Sequence, residues 1–273
     1  MNNLRISLVQ GATRWLDPAA NRDYYGHLMA PLHGTTDLVM LPETFTSGFS
    51  NEAIASAETM DGPTVAWMRE QAARLGAAVT GSVQLREDGK GEGAEGPKVF
   101  NRLIYATPDG AVQTYDKRHL FRFAGEHERY AAGRDRLIVQ CQGWRICPLV
   151  CYDLRFPVFS RNRLDAQAPG GMDYDLLLYL ANWPSARAYP WKTLLRARAI
   201  ENLCYVAGLN RVGTDGNGIH YAGDSAVIDF LGHPVSECTD AEVVVTTTLL
   251  GDELAAHRGR FPAMLDADAF TLS

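Results

Sequence analysis

Three side chains in this sequence could together break an amide bond: Glu43, Lys117 and Cys151. Cys151 lies in WRICPLVCYDLRFP, where a buried strand (Ile146, Leu149, Val150) meets a corner and then a proline-started helix. A thiol at such a corner is expected near free backbone N–H groups and the positive end of a helix, which lower its pKa and aim it outward. Cysteine in an apolar strand more often serves as a small hydrophobe, so the corner alone decides nothing. Glu43 follows Leu41-Pro42 and Lys117 follows Tyr115-Asp116, and either alone reads as a solvated charge. Jointly they supply what a thiol lacks. Cys151 would attack a carbonyl carbon, and Glu43 would take the thiol proton and later activate water. The Lys117 cation and the backbone N–H of Tyr152 would hold the carbonyl oxygen as it becomes negative.

The elements that must position these groups form one unit used twice. Arg5 to Gln10 reads as a strand, followed by a helix entered through Asp17-Pro18 and running to Leu32. A second strand, Asp37 to Pro42, ends on Glu43, and a second helix runs from Pro63 until Gly76 stops it. Ala77 to Gln84 is a third strand. Arg86 to Pro97 reads as an exposed, mobile loop, and a hairpin turning at Pro108-Asp109-Gly110 leads to Lys117. The second half repeats the order: strand at Trp144, helix from Pro157, strand from Asp175, helix from Pro190, strand from Cys204, hairpin turning near Gly232. Continuous apolar strands alternating with helices imply sheets covered by helices. The expected fold is therefore α/β, a four-layer αββα sandwich of two β-α-β-α-β-β halves within one domain, 1–273. In such sheets ligands bind beyond the strand ends, where all three side chains fall.

Composition narrows the function classes. The net charge is −6 with no basic block, which argues against nucleic acid and anionic membranes as partners. No apolar run reaches transmembrane length and no secretion signal opens the chain, so a cytoplasmic location is expected. Five cysteines, an odd number, fit reduced thiols better than a disulfide framework. Cys147 and Cys151 have no second Cys/His pair at zinc spacing, so no metal site is expected.

The strings LPETFTSGFS, YDKRHLF, CYDLRFP and NWPSARAYPWKTLLRARAIENLCYVAGLNRVGTDGNG, in this order, resemble the nitrilase, or carbon–nitrogen hydrolase, superfamily. The resemblance runs from about Leu4 to about Leu249. It implies the αββα sandwich, a Glu-Lys-Cys triad at Glu43, Lys117 and Cys151, catalysis without metal or organic cofactor, and a homodimer. It also implies a second glutamate before a glycine. Glu126, seven residues ahead of Gly133, fits that place as a group orienting Lys117, with Glu128 as competitor. Pocket walls are implied at Phe45, Tyr152, Asn182 and Trp183. CYDLRFP with ANWP and RARAIEN is most similar to the ω-amidase group, which releases ammonia from 2-oxoglutaramate, 2-oxosuccinamate and similar monoamides. For such a substrate, Arg155 and Arg187 are the cations best placed to meet the carboxylate. Aliphatic amidases, N-carbamoyl hydrolases and nitrilases share the triad. A Cys–His acyltransferase or peptidase, with His119 or His127 as base, is a rival from another class.

Overall fold

A computed structural model describes residues 1–88, 96–165 and 171–271. Its strands, in chain order, are β1 Leu4–Gln10, β2 Leu38–Met40, β3 Ala78–Glu87, β4 Lys98–Ala106, β5 Val112–Asp116, β6 Val139–Cys141 and β7 Trp144–Val150. They continue as β8 Leu176–Ala181, β9 Tyr205–Asn210, β10 Val212–Thr214, β11 His220–Ala222, β12 Ala226–Ile228, β13 Pro234–Glu237 and β14 Val243–Leu249. The α-helices are α1 Pro18–Met29, α2 Pro63–Leu75, α3 Pro157–Ser160, α4 Ala188–Asn202 and α5 Gly251–Arg260.

Two six-stranded sheets result, ordered β14-β1-β2-β3-β4-β5 and β13-β12-β9-β8-β7-β6. In each, three parallel strands separated by crossovers (β1, β2, β3 and β7, β8, β9) continue into antiparallel hairpin strands. The internal repeat is therefore real in topology. Alternation along the strands explains the layering. Leu4, Ile6 and Leu8 of β1 join one core with Ile146, Val150 and Leu178 of the opposite sheet. Val9, Val39 and Leu41 point the other way, onto Tyr25 and Met29 of α1 and Val65, Met68 and Leu75 of α2. Trp191, Leu195 and Ala199 of α4 cover the outer face of the second sheet. The order is helix, sheet, sheet, helix.

Several boundaries follow from local chemistry. Asp17 accepts a hydrogen bond from Ala20 N (3.0 Å) and caps α1. The expected helix to Leu32 ends at Met29 and tightens into a 3₁₀ turn, Ala30–Leu32, at Pro31, which has no N–H to give. Gly76, at φ 65°, closes α2 in the left-handed conformation. The helix expected from Pro157 is only four residues long. Asn162 draws the chain away, holding Tyr174 N and O and Asn202 O through its side chain. The first sheet also takes Arg86 and Glu87, which were expected in the loop; residues 89–95 of that expected loop lie outside the described residues. Strand β14, a β-branched run, completes the first sheet beside β1 and had not been expected from the sequence.

Candidate active site

Each chemically capable side chain stands just past a strand end, and strained backbone lies at or beside two of them. Glu43 follows β2, Lys117 follows β5 and Cys151 follows β7. Cys151 has φ 45° and Thr44, beside Glu43, has φ 42°. A non-glycine residue in this region costs on the order of 1–3 kcal/mol, so the surroundings must over-determine it. Around Thr44, Ser82 of β3 accepts a bond from Thr44 N (2.9 Å), and Asn182, just past β8, donates through Nδ2 to Glu43 O (2.6 Å) and Thr44 Oγ1 (2.9 Å).

The side chains meet in one buried cluster. Glu43 Oε1 accepts from Lys117 Nζ (3.0 Å) and from Asn101 Nδ2 (2.8 Å), while Oε2 accepts from Asn182 N (2.8 Å). Lys117 Nζ also donates to both oxygens of Glu126, at 3.0 and 2.9 Å. Its ammonium faces the Phe49 ring at 5.4 Å. Glu43, Lys117 and Glu126 are each at most 1% exposed. The Cys151 thiol donates to Asn182 O at 3.9 Å.

Two carboxylates against one ammonium leave the cluster one negative charge in surplus, which decides the proton positions. Burial alone would push Lys117 down, but Glu126 and Glu43 outweigh it and hold the ammonium well above the ordinary lysine value. Burial also raises Glu126, against the pull of Lys117. Burial and the Glu43 charge push the Cys151 thiol well above its usual value, with Lys117 opposing. The lowered thiol pKa expected from the sequence is thus corrected. Cys151 opens a five-residue 3₁₀ segment, Cys151–Arg155, rather than a long helix, and among the charges acting on its thiol Glu43 outweighs Lys117. The resting thiol keeps its proton.

A cavity of about 340 Å³ opens over this cluster, lined on one side by Cys151, Tyr152 and Arg155 and on the other by Trp183, Arg187 and Tyr221. That volume is near the lower end for small-molecule sites. Arg155 lies over the Trp183 ring (5.0 Å) and Arg187 over the Phe121 ring (5.3 Å). Among the described residues neither guanidinium forms an ion pair with a carboxylate.

Comparison with known proteins agrees with this geometry. The model of the carbon-nitrogen hydrolase family matches residues 5–256. The chain belongs to the carbon–nitrogen hydrolase family. Among similar proteins is omega-amidase YafV of Yersinia enterocolitica, 45% identical over 273 residues and covering 100% of both chains. The 2-oxoglutaramate amidase of Bacillus subtilis is 31% identical over 233 residues, 84% of each. A solved structure, XC1258 from Xanthomonas campestris, is described as a CN-hydrolase superfamily protein with an arsenic adduct in its active site. It superposes with TM-score 0.94 at 70% identity, covering 100% of both chains. This carbon–nitrogen hydrolase is accordingly an amidase with the nitrilase-type sandwich.

Within this carbon–nitrogen hydrolase, most sequence-derived positions converge and a few do not. Glu43, Lys117, Cys151 and Glu126 share one cluster, and Glu128 is exposed. Tyr152, Asn182, Trp183, Arg155 and Arg187 line the cavity. Phe45 does not, which corrects its placement as a pocket wall. Its ring is fully buried on the helical side of the sheet, against Tyr25 and Trp67 (both 5.7 Å), and Phe49 faces Lys117 instead. Neither His119 nor His127 lines the cavity; the His119 Nδ1 is taken by Asp153 at 2.7 Å. Sequence reading missed Asn101, whose Nδ2 also reaches Glu126 Oε1 at 3.4 Å and whose Oδ1 accepts from Ser82 Oγ at 2.9 Å. The available signal was an asparagine inside the apolar run of β4, a poor strand residue unless its amide is used. Tyr221, from the small β10-β11 ribbon, gave no such signal.

Proposed function

We propose that this amidase works through a Cys151 thioester and hydrolyses short ω-amides carrying a carboxylate at the far end, such as 2-oxoglutaramate or 2-oxosuccinamate. As Cys151 Sγ bonds to the amide carbon, its proton passes to Glu43. That transfer neutralises Glu43, so the cluster's surplus negative charge is carried over to the substrate oxygen. Lys117 faces that oxygen, with the N–H of Tyr152, a first-turn donor without an intrahelical acceptor. The C–N bond breaks as Glu43 returns the proton to the leaving nitrogen, releasing ammonia. Glu43 then takes a proton from water, whose hydroxide attacks the thioester carbon, and expulsion of the sulfur restores the thiol. Glu126 keeps Lys117 charged and aimed throughout. The resemblance that suggests this chemistry also suggests a cytoplasmic homodimer.

The observation that carries the substrate class is the pair of guanidiniums, Arg155 and Arg187, each laid on an aromatic ring at the cavity wall and, among the described residues, paired with no carboxylate. An arginine fork matches a substrate carboxylate in shape and charge. The names of the similar ω-amidase and 2-oxoglutaramate amidase support the same reading. The test is ammonia release from 2-oxoglutaramate, succinamate, a neutral amide of equal length and a nitrile. The acid amides should be hydrolysed far faster. Removing the responsible arginine should raise KM for the acid amide about 10- to 100-fold, the worth of a charge-assisted hydrogen bond, and spare the neutral one. Equal kcat/KM for charged and neutral amides would end the ω-amidase assignment.

A further inference from the structure

The motifs around Lys117 and Cys151 contain residues that the chemistry above does not use: Tyr115, His119 and Asp153. The structure ties them together. Asp153 is fully buried two residues after Cys151, and its carboxylate receives four hydrogen bonds. Oδ1 accepts from His119 N (3.0 Å) and His119 Nδ1 (2.7 Å). Oδ2 accepts from the Tyr115 hydroxyl (2.7 Å) and from Val150 N (3.0 Å). The Tyr115 hydroxyl in turn accepts from Arg118 N (3.1 Å). The His119 ring lies parallel to Phe156 at 3.8 Å and edge-on to Phe159 at 5.3 Å.

We propose that Asp153 is a positioning residue that sets the separation of Lys117 from Cys151, using Tyr115 and His119 as the two ends of a strap. Lys117 sits midway between those ends. Both ends fasten to one carboxylate, and that carboxylate also grips the N–H of Val150, immediately before the strained Cys151. The tip of Lys117 is fixed by Glu43 and Glu126, but those contacts say nothing of where its backbone stands relative to the sulfur. Asp153 supplies that second fixed point. No arginine or lysine pairs with it among the described residues, so its charge is spread over four aimed donors. This also gives His119 its place. Its ring is bound at Nδ1 and sandwiched by aromatics, a strut rather than a base.

This inference rests on the roles given to Lys117 and Cys151 above. Its test compares the full-length wild type with Asp153→Asn, Tyr115→Phe, His119→Ala and the Asp153→Asn/Tyr115→Phe double variant, with Cys151→Ala as control. A misplacement of about 1 Å costs about a hundredfold in rate, so Asp153→Asn should lose about that much kcat while KM changes little. Tyr115→Phe and His119→Ala, each removing one end of the strap, should lose about tenfold in kcat. The double variant should lose less than the product of its singles, because both act through one carboxylate. Folded variants with wild-type kcat, or with lowered melting temperature alone, overturn the strap. Should Asp153→Asn fail to fold, Tyr115→Phe and His119→Ala decide by the same criterion. A dead Cys151→Ala beside fully active strap variants rejects only the strap. An active Cys151→Ala rejects the thioester reading and the strap with it.

Discussion

At the scale of single residues, the deciding fact is that burial first, and then Glu43, push the Cys151 thiol well above its usual value. In the proposed mechanism one carboxylate therefore has two opposed effects, raising the thiol pKa in the free enzyme and accepting its proton during attack. Glu43→Gln separates them. The substitution keeps the size of the side chain, removes the surplus negative charge and leaves Lys117 to attract a thiolate. Turnover should fall by at least about a thousandfold, because the proton has no acceptor in either half-reaction. The pH midpoint for alkylation of Cys151 by iodoacetamide should move down, since the first electrostatic cause of its elevation after burial is gone. A midpoint unchanged or shifted upward would show that Glu43 is not the charge that keeps the thiol neutral.

At the scale of elements, the site depends on how closely the loop carrying Glu126 can approach the strand end carrying Lys117. Gly133 N donates to Lys117 O at 3.1 Å, and a β-carbon on Gly133 would lie 2.1 Å from the carbonyl oxygen of Asp116. Backbone cannot yield as a flexible side chain does. Gly133→Ala should push the two segments apart, lowering stability by about 1–3 kcal/mol and kcat about tenfold or more as Glu126 loses its aim. Melting temperature and steady-state rates read both, and wild-type values for the two would show that this close approach is not needed. The elements were legible in the sequence wherever they carry local signals. Asp17, Pro63 and Gly76 punctuate their helices, and Asp37 to Pro42 announces a buried strand leading to Glu43. Phe45 was misplaced because an aromatic just past a strand end can turn to either face, and only the packing of Tyr25 and Trp67 decides which. Asn101 and Asp153 were illegible as parts of the site for a related reason. Their partners stand 58 and 34 to 38 residues away in the chain, and no local pattern encodes a hydrogen bond over such a separation.

For the molecule as a whole, one feature of Cys151 extends to every cysteine. Burial raises Cys141 to about 11 and Cys147 to about 12, and it raises Cys204 and Cys238 as well. All five thiols are free. Burial therefore disfavours the thiolate at every cysteine of the folded chain, the proposed nucleophile included. Peroxide oxidises thiolates and scarcely touches buried thiols. In the proposed mechanism, which deprotonates the sulfur only against a bound amide, the same burial protects the sulfur between turnovers. The amidase should keep its activity through a brief exposure to hydrogen peroxide, and intact-mass spectrometry should find less than about one added oxygen per chain. Rapid, stoichiometric sulfenic acid on the peptide containing Cys151 would contradict this. On the proposed mechanism the sulfur is held in reserve, and the bound amide itself is the trigger that releases it.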